Sequence, residues 1–199
     1  MRGVVANAVM GLLVLSTAAR SETPTFSFTP DEFHKALDSR IREDTTDKTR
    51  PDWSTVKACR KTGSNYVCTF NDAGFQSTVA EFKKMDLANG RFNLKLRLTM
   101  ETANGKVSRI ILEGDRGDPM NLMQWAGTVV NAMQTFDPDT GKGDGQMLAI
   151  SKELGLMRGD VADDIGEPTT TIKPYAVIGC LSAPSQVSTR VTCQFIPRS

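Results

Sequence analysis

The sequence predicts an α+β fold, with an antiparallel sheet built from β-hairpins and two to three helices packed mainly on one face. Three observations carry this reading. The tight-turn pairs Gly63-Ser64, Asn89-Gly90 and Asn104-Gly105 each lie between strand-like runs. Two segments, opening at Thr29-Pro30 and Asp118-Pro119, repeat apolar residues at helical spacing behind capping residues. Four cysteines, Cys59, Cys68, Cys180 and Cys193, fall in pairs on the arms of two hairpins.

The chain opens with a basic start, Met1-Arg2, followed by Val4 to Leu15, apolar except for Asn7. Thr17 and Ala19 are the small residues a signal peptidase requires before its cut. Residues 1–19 are therefore read as a cleavable export signal, and residues 20–199 as one compact α+β domain. The apolar run is shorter than the ~20 residues that cross a bilayer core, so no stable membrane anchor is expected after cleavage. The mature chain is expected in the periplasm or outside the cell. With 24 Lys+Arg against 23 Asp+Glu, interspersed in sequence, it has no global field for nucleic acid.

Residues 20–28 read as an extended lead-in. Thr29 caps the first helix, Pro30 suits its first position, and Glu32 completes a capping box. Phe28 and Phe33 occupy the positions of a hydrophobic staple, and Phe33, Ala36, Leu37 and Ile41 form the apolar stripe. After a polar loop, residues 56–70 read as a hairpin. A two-residue type II′ turn at Gly63-Ser64 sets Thr62 opposite Asn65, and so Cys59 opposite Cys68 at a non-hydrogen-bonded position. Four cysteines allow three connectivities. In an exported chain local geometry favours Cys59–Cys68 with Cys180–Cys193.

From Gly74 onward a strand meander is expected through Asn89-Gly90 and Asn104-Gly105. Three-residue loops with a left-handed Gly105 set Leu98 opposite Ile110, and Phe82 opposite Leu96 with Ala80 opposite Leu98. Leu94, Leu96, Leu98, Met100, Ile110 and Leu112 then share one dry face. The second long helix is capped by Asp118 and carries Leu122, Ala126, Val129, Val130 and Met133 as its stripe, with Trp125 beside it. A Gly/Asp-rich loop leads to a shorter helix capped by Asp144, with Met147, Ile150 and Leu154 on one side and Gly155 at its end. The final hairpin joins 171–181 to 187–196 around the turn-rich Ser182–Gln186. Helix-then-hairpin thus occurs twice, in 29–70 and 118–196, a weak echo of duplication.

The candidate chemistry is sparse. His34 is the single histidine, and no residue pattern supplies it with a nucleophile. The Asp137–Gly145 loop starts like a calcium loop but has Lys142 at the glycine position and Leu148 in place of the closing glutamate. The acids Asp160, Asp163, Asp164 and Glu167 have no ligand spacing. Arg-Gly-Asp occurs at 116–118 and 158–160, and Asp118 is accounted for as a cap. No catalytic residue, cofactor or metal ligand is assigned. The sequence therefore favours an exported, disulfide-stabilised binding module for an unidentified protein or small ligand. The alternatives are a hydrolase-like enzyme using carboxylates, which needs two acids converging in a cleft with one pKa raised, and a carrier with an apolar cavity between helix and sheet.

Overall fold

A computed structural model of the chain describes residues 23–45, 53–85, 91–141, 146–155, 168–182 and 189–198. The export signal, the Asn89-Gly90 turn, the Asp144 cap, the second Arg-Gly-Asp, the 160–167 acids and most of the last hairpin's turn lie outside them. The elements in chain order are α1 (Pro30–Thr45), β1 (Val56–Thr62), β2 (Asn65–Phe70), α2 (Ala73–Lys84), β3 (Arg97–Ala103), β4 (Lys106–Asp115), α3 (Pro119–Gln134), α4 (Gln146–Glu153), β5 (Thr169–Ile172), β6 (Ala176–Ser182) and β7 (Arg190–Pro197). The fold is α+β. All seven strands form one antiparallel sheet in the order β1-β2-β3-β4-β7-β6-β5.

α1 begins as its sequence dictates. The Thr29 N–H donates to Glu32 Oε2 at 2.7 Å, and the Glu32 N–H returns to Thr29 Oγ1 at 3.3 Å. The backbone and hydroxyl of Thr29 hold the Glu32 carboxyl below its usual range. Phe28 stacks on Phe33 at 5.2 Å, closing the staple. The lead-in is anchored too, since the Phe26 N–H reaches the Val107 carbonyl and the Val107 N–H reaches Phe28.

The β1–β2 hairpin has the expected register. Thr62 pairs with Asn65 and Cys59 with Cys68, and Gly63 sits at φ +63°. The β3–β4 hairpin corrects the loop prediction. Its turn has two residues, with Asn104 at φ 52° and Gly105 at φ 77°, the type I′ pattern. Ala103 faces Lys106 and Thr102 faces Val107. The register then shifts, so that Glu101 faces Arg109, Met100 faces Ile110 and Leu98 faces Leu112. Ser108 is the extra residue of a bulge. The one-residue adjustment expected in the turn occurs in β4 instead. Its consequence is as anticipated: Leu98, Met100, Ile110 and Leu112 are all fully buried on one face.

The meander prediction fails between residues 73 and 84, which form helix α2 rather than a strand. β3 takes β2 as its neighbour, with Cys68 opposite Leu98, and not the segment holding Ala80 and Phe82. The spacing Phe75, Val79, Phe82 is helical, and these side chains form a satellite cluster with Met120, Phe92 and Leu94. The final hairpin is likewise divided. The run expected as one strand breaks at Lys173–Tyr175 into β5 and β6, which pair with each other.

α3 is more deeply buried than one stripe implies. Twelve of its sixteen residues are buried, including Asn121, Gln124, Thr128, Asn131 and Gln134. It lies against β4, with α1, α2 and α4 also in contact. Its polar residues fasten irregular segments. Gln124 Oε1 accepts from the Ser54 N–H, and Ser54 Oγ accepts from the Phe75 N–H. Asn121 accepts from the Lys95 N–H and donates to the Asn93 carbonyl. Trp125, expected beside the stripe, is a core residue whose Nε1 donates to the Leu112 carbonyl at 3.1 Å.

Candidate functional site

One cross-strand row runs through every strand: Cys59, Cys68, Leu98, Leu112, Cys193, Cys180 and Thr169. Both disulfides, Cys59–Cys68 and Cys180–Cys193, lie in it. Their Cα separations of 4.0 and 4.1 Å mark the narrow, non-hydrogen-bonded positions of a ladder. The row faces the helices, and its bridges staple the sheet on each side of the β3–β4 pair. Two disulfides suggest an oxidising, non-cytoplasmic compartment.

The remaining sequence candidates do not come together. His34 lies on α1 with a buried Nδ1 that has no hydrogen-bond partner among the described residues. Asp137 closes a local turn, accepting from the Asp139 N–H and the Thr140 hydroxyl. The first Arg-Gly-Asp is tied down. The Arg116 N–H reaches the Thr189 carbonyl, the Gly117 N–H reaches Asp115 Oδ1, and Asp118 caps α3 by accepting from the Asn121 N–H. Among the described residues no group of three or more His, Cys, Asp or Glu could hold a metal ion. None of their helices is long and apolar enough to cross a membrane.

Glu113 and Asp115 are neighbouring acids on the open face of β4. Glu113 lies between Arg97 at 3.8 Å and Arg190 at 3.5 Å. Asp115 accepts from Lys95 Nζ, the Thr189 hydroxyl and the Gly117 N–H. Burial opposes its charge, yet the bonds from Thr189, Gly117 and Lys95 prevail and hold the carboxyl below its usual value. That is the reverse of what a general acid needs. A groove of about 350 Å³ opens where β2 and the segment leading into β3 splay apart, lined by Thr69, Phe70, Asp72, Asn93, Leu94 and Leu96.

The informative surface is the sheet face turned away from the row of disulfides. It divides into two halves. Over β1 to β4 it is charged, with cross-strand pairs Arg97–Glu113 and Arg109–Glu101. Arg190, at the start of β7, also lies on this face and belongs with the charged half, 3.5 Å from Glu113. Beyond it, over β5, β6 and the rest of β7, the face carries Thr170, Ile172, Val177, Gly179, Leu181, Thr192, Gln194 and Ile196, none of them ionisable. Ile172, Val177 and Ile196 form one row. Ile172 is 67% exposed, Leu181 52% and Ile196 40%. Gly179 leaves a shallow notch between Val177 and Leu181, since a side chain there would meet only a carbonyl at 3.9 Å.

Charge is also unevenly spread between the strands and α1, which the interspersed sequence conceals. The strands hold Lys57, Arg60, Lys61, Arg97, Lys106, Arg109 and Arg190 against Glu101, Glu113 and Asp115. α1 alone holds Asp31, Glu32, Asp38, Glu43 and Asp44 against Lys35, Arg40 and Arg42. Sequence reasoning missed both surfaces because neither is a motif. The apolar half was within reach, because pairing Cys180 with Cys193 inward turns Leu181 and Ile196 outward. Comparisons with protein-family models, with curated proteins and with solved structures each find no match to this chain.

Proposed function

We propose that this chain is an exported interaction module that binds a protein or peptide partner on the uncharged half of its open sheet face, in the periplasm or outside the cell. One observation carries the reading: Ile172, Leu181 and Ile196 are exposed together on the sheet face turned away from the buried core. Apolar side chains clustered on an uncovered face mark interaction surfaces more often than they serve folding. The two disulfides and the signal-like N-terminus support the same reading.

The test compares the parent with Ile172→Lys/Leu181→Lys. Each tagged mature protein is cross-linked in its native envelope or medium and recovered for mass spectrometry. The parent should capture the same partner reproducibly, and the variant should lose it while keeping the parent's unfolding midpoint. Equal recovery by both removes the sheet face from the proposal.

A further inference from the structure

The two edges of the sheet differ in kind. β5 is four residues long and uncharged. β1 is seven residues long and almost wholly exposed, and carries Lys57, Arg60 and Lys61. Among the described residues none of these three bases meets a carboxylate. Lys61 Nζ lies 5.9 Å from the centre of the Tyr66 ring, a contact that leaves its charge uncompensated.

The ladder fixes which backbone groups the β1 edge offers. Cys59 and Cys68 occupy a narrow pair, so the N–H and C=O of Cys59 point away from β2. Two residues along, Lys61 has the same orientation, while Arg60 bonds inward to Val67. Among the described residues no strand pairs with this edge, which therefore presents the donors and acceptors of Cys59 and Lys61, with the Arg60 side chain on the open face and Lys61 on the other. Ala58 and Thr62, both small, flank Arg60 on its face and leave it room.

Bases on an edge strand are a known protection against pairing with a copy of itself, because like charges would meet across the new ladder. The register shift at Lys57 adds to this protection. The same arrangement attracts a strand of opposite charge. We infer that β1 is a docking edge for an acidic, extended peptide segment, which adds to the sheet as an eighth strand through the backbone of Cys59 and Lys61 and sets its carboxylates beside Arg60 and Lys61. The backbone supplies the docking and the charges select the partner. This surface lies at the opposite edge of the sheet from the apolar half and stands independently of it.

The test uses the full disulfide-bonded chain and a fluorescein-labelled Glu/Val peptide of repeating Val-Glu-Glu-Val, whose adjacent glutamates face both sides of the new strand, followed by fluorescence anisotropy. Three further probes share the assay: a Lys/Val peptide of the same length and pattern, the Glu/Val peptide N-methylated at every residue, and inorganic polyphosphate. The Glu/Val peptide should bind, the Lys/Val peptide should not, and N-methylation should abolish binding by removing the ladder donors. Arg60→Glu/Lys61→Glu should weaken the Glu/Val peptide by about tenfold or more and begin to bind the Lys/Val peptide. The parent's unfolding midpoint should be kept, because both side chains are exposed. Should the variant fail to fold, the N-methylated peptide still decides the question on the parent chain. Three results overturn the inference: no binding of the Glu/Val peptide, undiminished binding after N-methylation, or polyphosphate displacing the peptide while charge reversal has no effect.

Discussion

Single atoms decide how α3 fits beneath its neighbours. Gly127 stands in the middle of this helix, where alanine is ordinarily the better residue by about 1 kcal/mol. A Cβ at that position would lie 2.5 Å from the Trp53 ring, which is itself buried. Overpacking of this kind costs about 1–3 kcal/mol, so the clash should outweigh the propensity gain. Gly127→Ala is expected to lower the urea midpoint, and an unchanged midpoint would show that Trp53 can move aside. Tyr175 offers a second residue-scale test. Its ring stacks on Phe136 at 4.7 Å, and its hydroxyl is buried near the Thr140 side chain. Burial, partly offset by the Thr140 side chain and aided by the charges of Asp137 and Glu153, pushes the phenol from 10.0 up to about 12. The unfolded chain thus gives up this proton at lower pH than the folded one. The contribution is fully present below pH 10.0 and is lost as pH rises through about 12. Tyr175→Phe should match the parent near neutrality, within about 1 kcal/mol, and hold its stability better in that alkaline window. Parallel pH profiles for the two proteins would contradict the assignment.

Elements were legible where their signals were local. The capping box at Thr29–Glu32, the Asp118 cap and the Gly63-Ser64 turn each involve groups a few residues apart, and each is present as read. α2 was misread because Phe75, Val79, Ala80 and Phe82 satisfy both a helical and an alternating pattern in part, and only the claim of β2 on β3 removes the strand alternative. The β3–β4 register shows a related limit. The apolar pattern required Leu98, Met100, Ile110 and Leu112 on one face, but it could not say whether the turn or a bulge at Ser108 would absorb the odd residue. The disulfides are a testable element. Each closes a short loop, of sequence separation 9 for Cys59–Cys68 and 13 for Cys180–Cys193. Chain entropy gives about 3 kcal/mol for either. Cys180 and Cys193 are both buried, whereas Cys59 is only partly so. Replacing the second pair by alanine also removes volume from the core, so that variant should have the lower thermal midpoint of the two. The opposite order would mean that the edge bridge matters more than the central one.

At the scale of the whole molecule, a chain with almost balanced charge is assembled into a sheet rich in bases and an acidic first helix, α1. The described helices cover one face of the sheet and leave the other open, divided into a charged half and an uncharged half that carries Ile172, Leu181 and Ile196. Ile172 and Leu181 should contribute little to folding, because their side chains remain largely in water. Ile172→Lys/Leu181→Lys is accordingly expected to stay within about 0.5 kcal/mol of the parent for each substitution. A large loss, measured by denaturant unfolding, would place these residues in the core and undermine their assignment to a partner.

The sequence by itself determined the fold class, the two long helices with their caps, the β1–β2 register and both cysteine pairings. All of these rest on contacts between residues close along the chain, where spacing alone fixes geometry. The tertiary structure decided that 73–84 is helical, that Trp125 is buried, that the bulge falls at Ser108, and that β4 and β7 meet at the centre of the sheet. It also decided which side chains face water together. Ile172, Leu181 and Ile196 come from three strands, and Lys57, Arg60 and Lys61 matter because β1 lies at an edge. Whether a strand is central or peripheral depends on distant pairings, and distant pairings leave no local pattern to read.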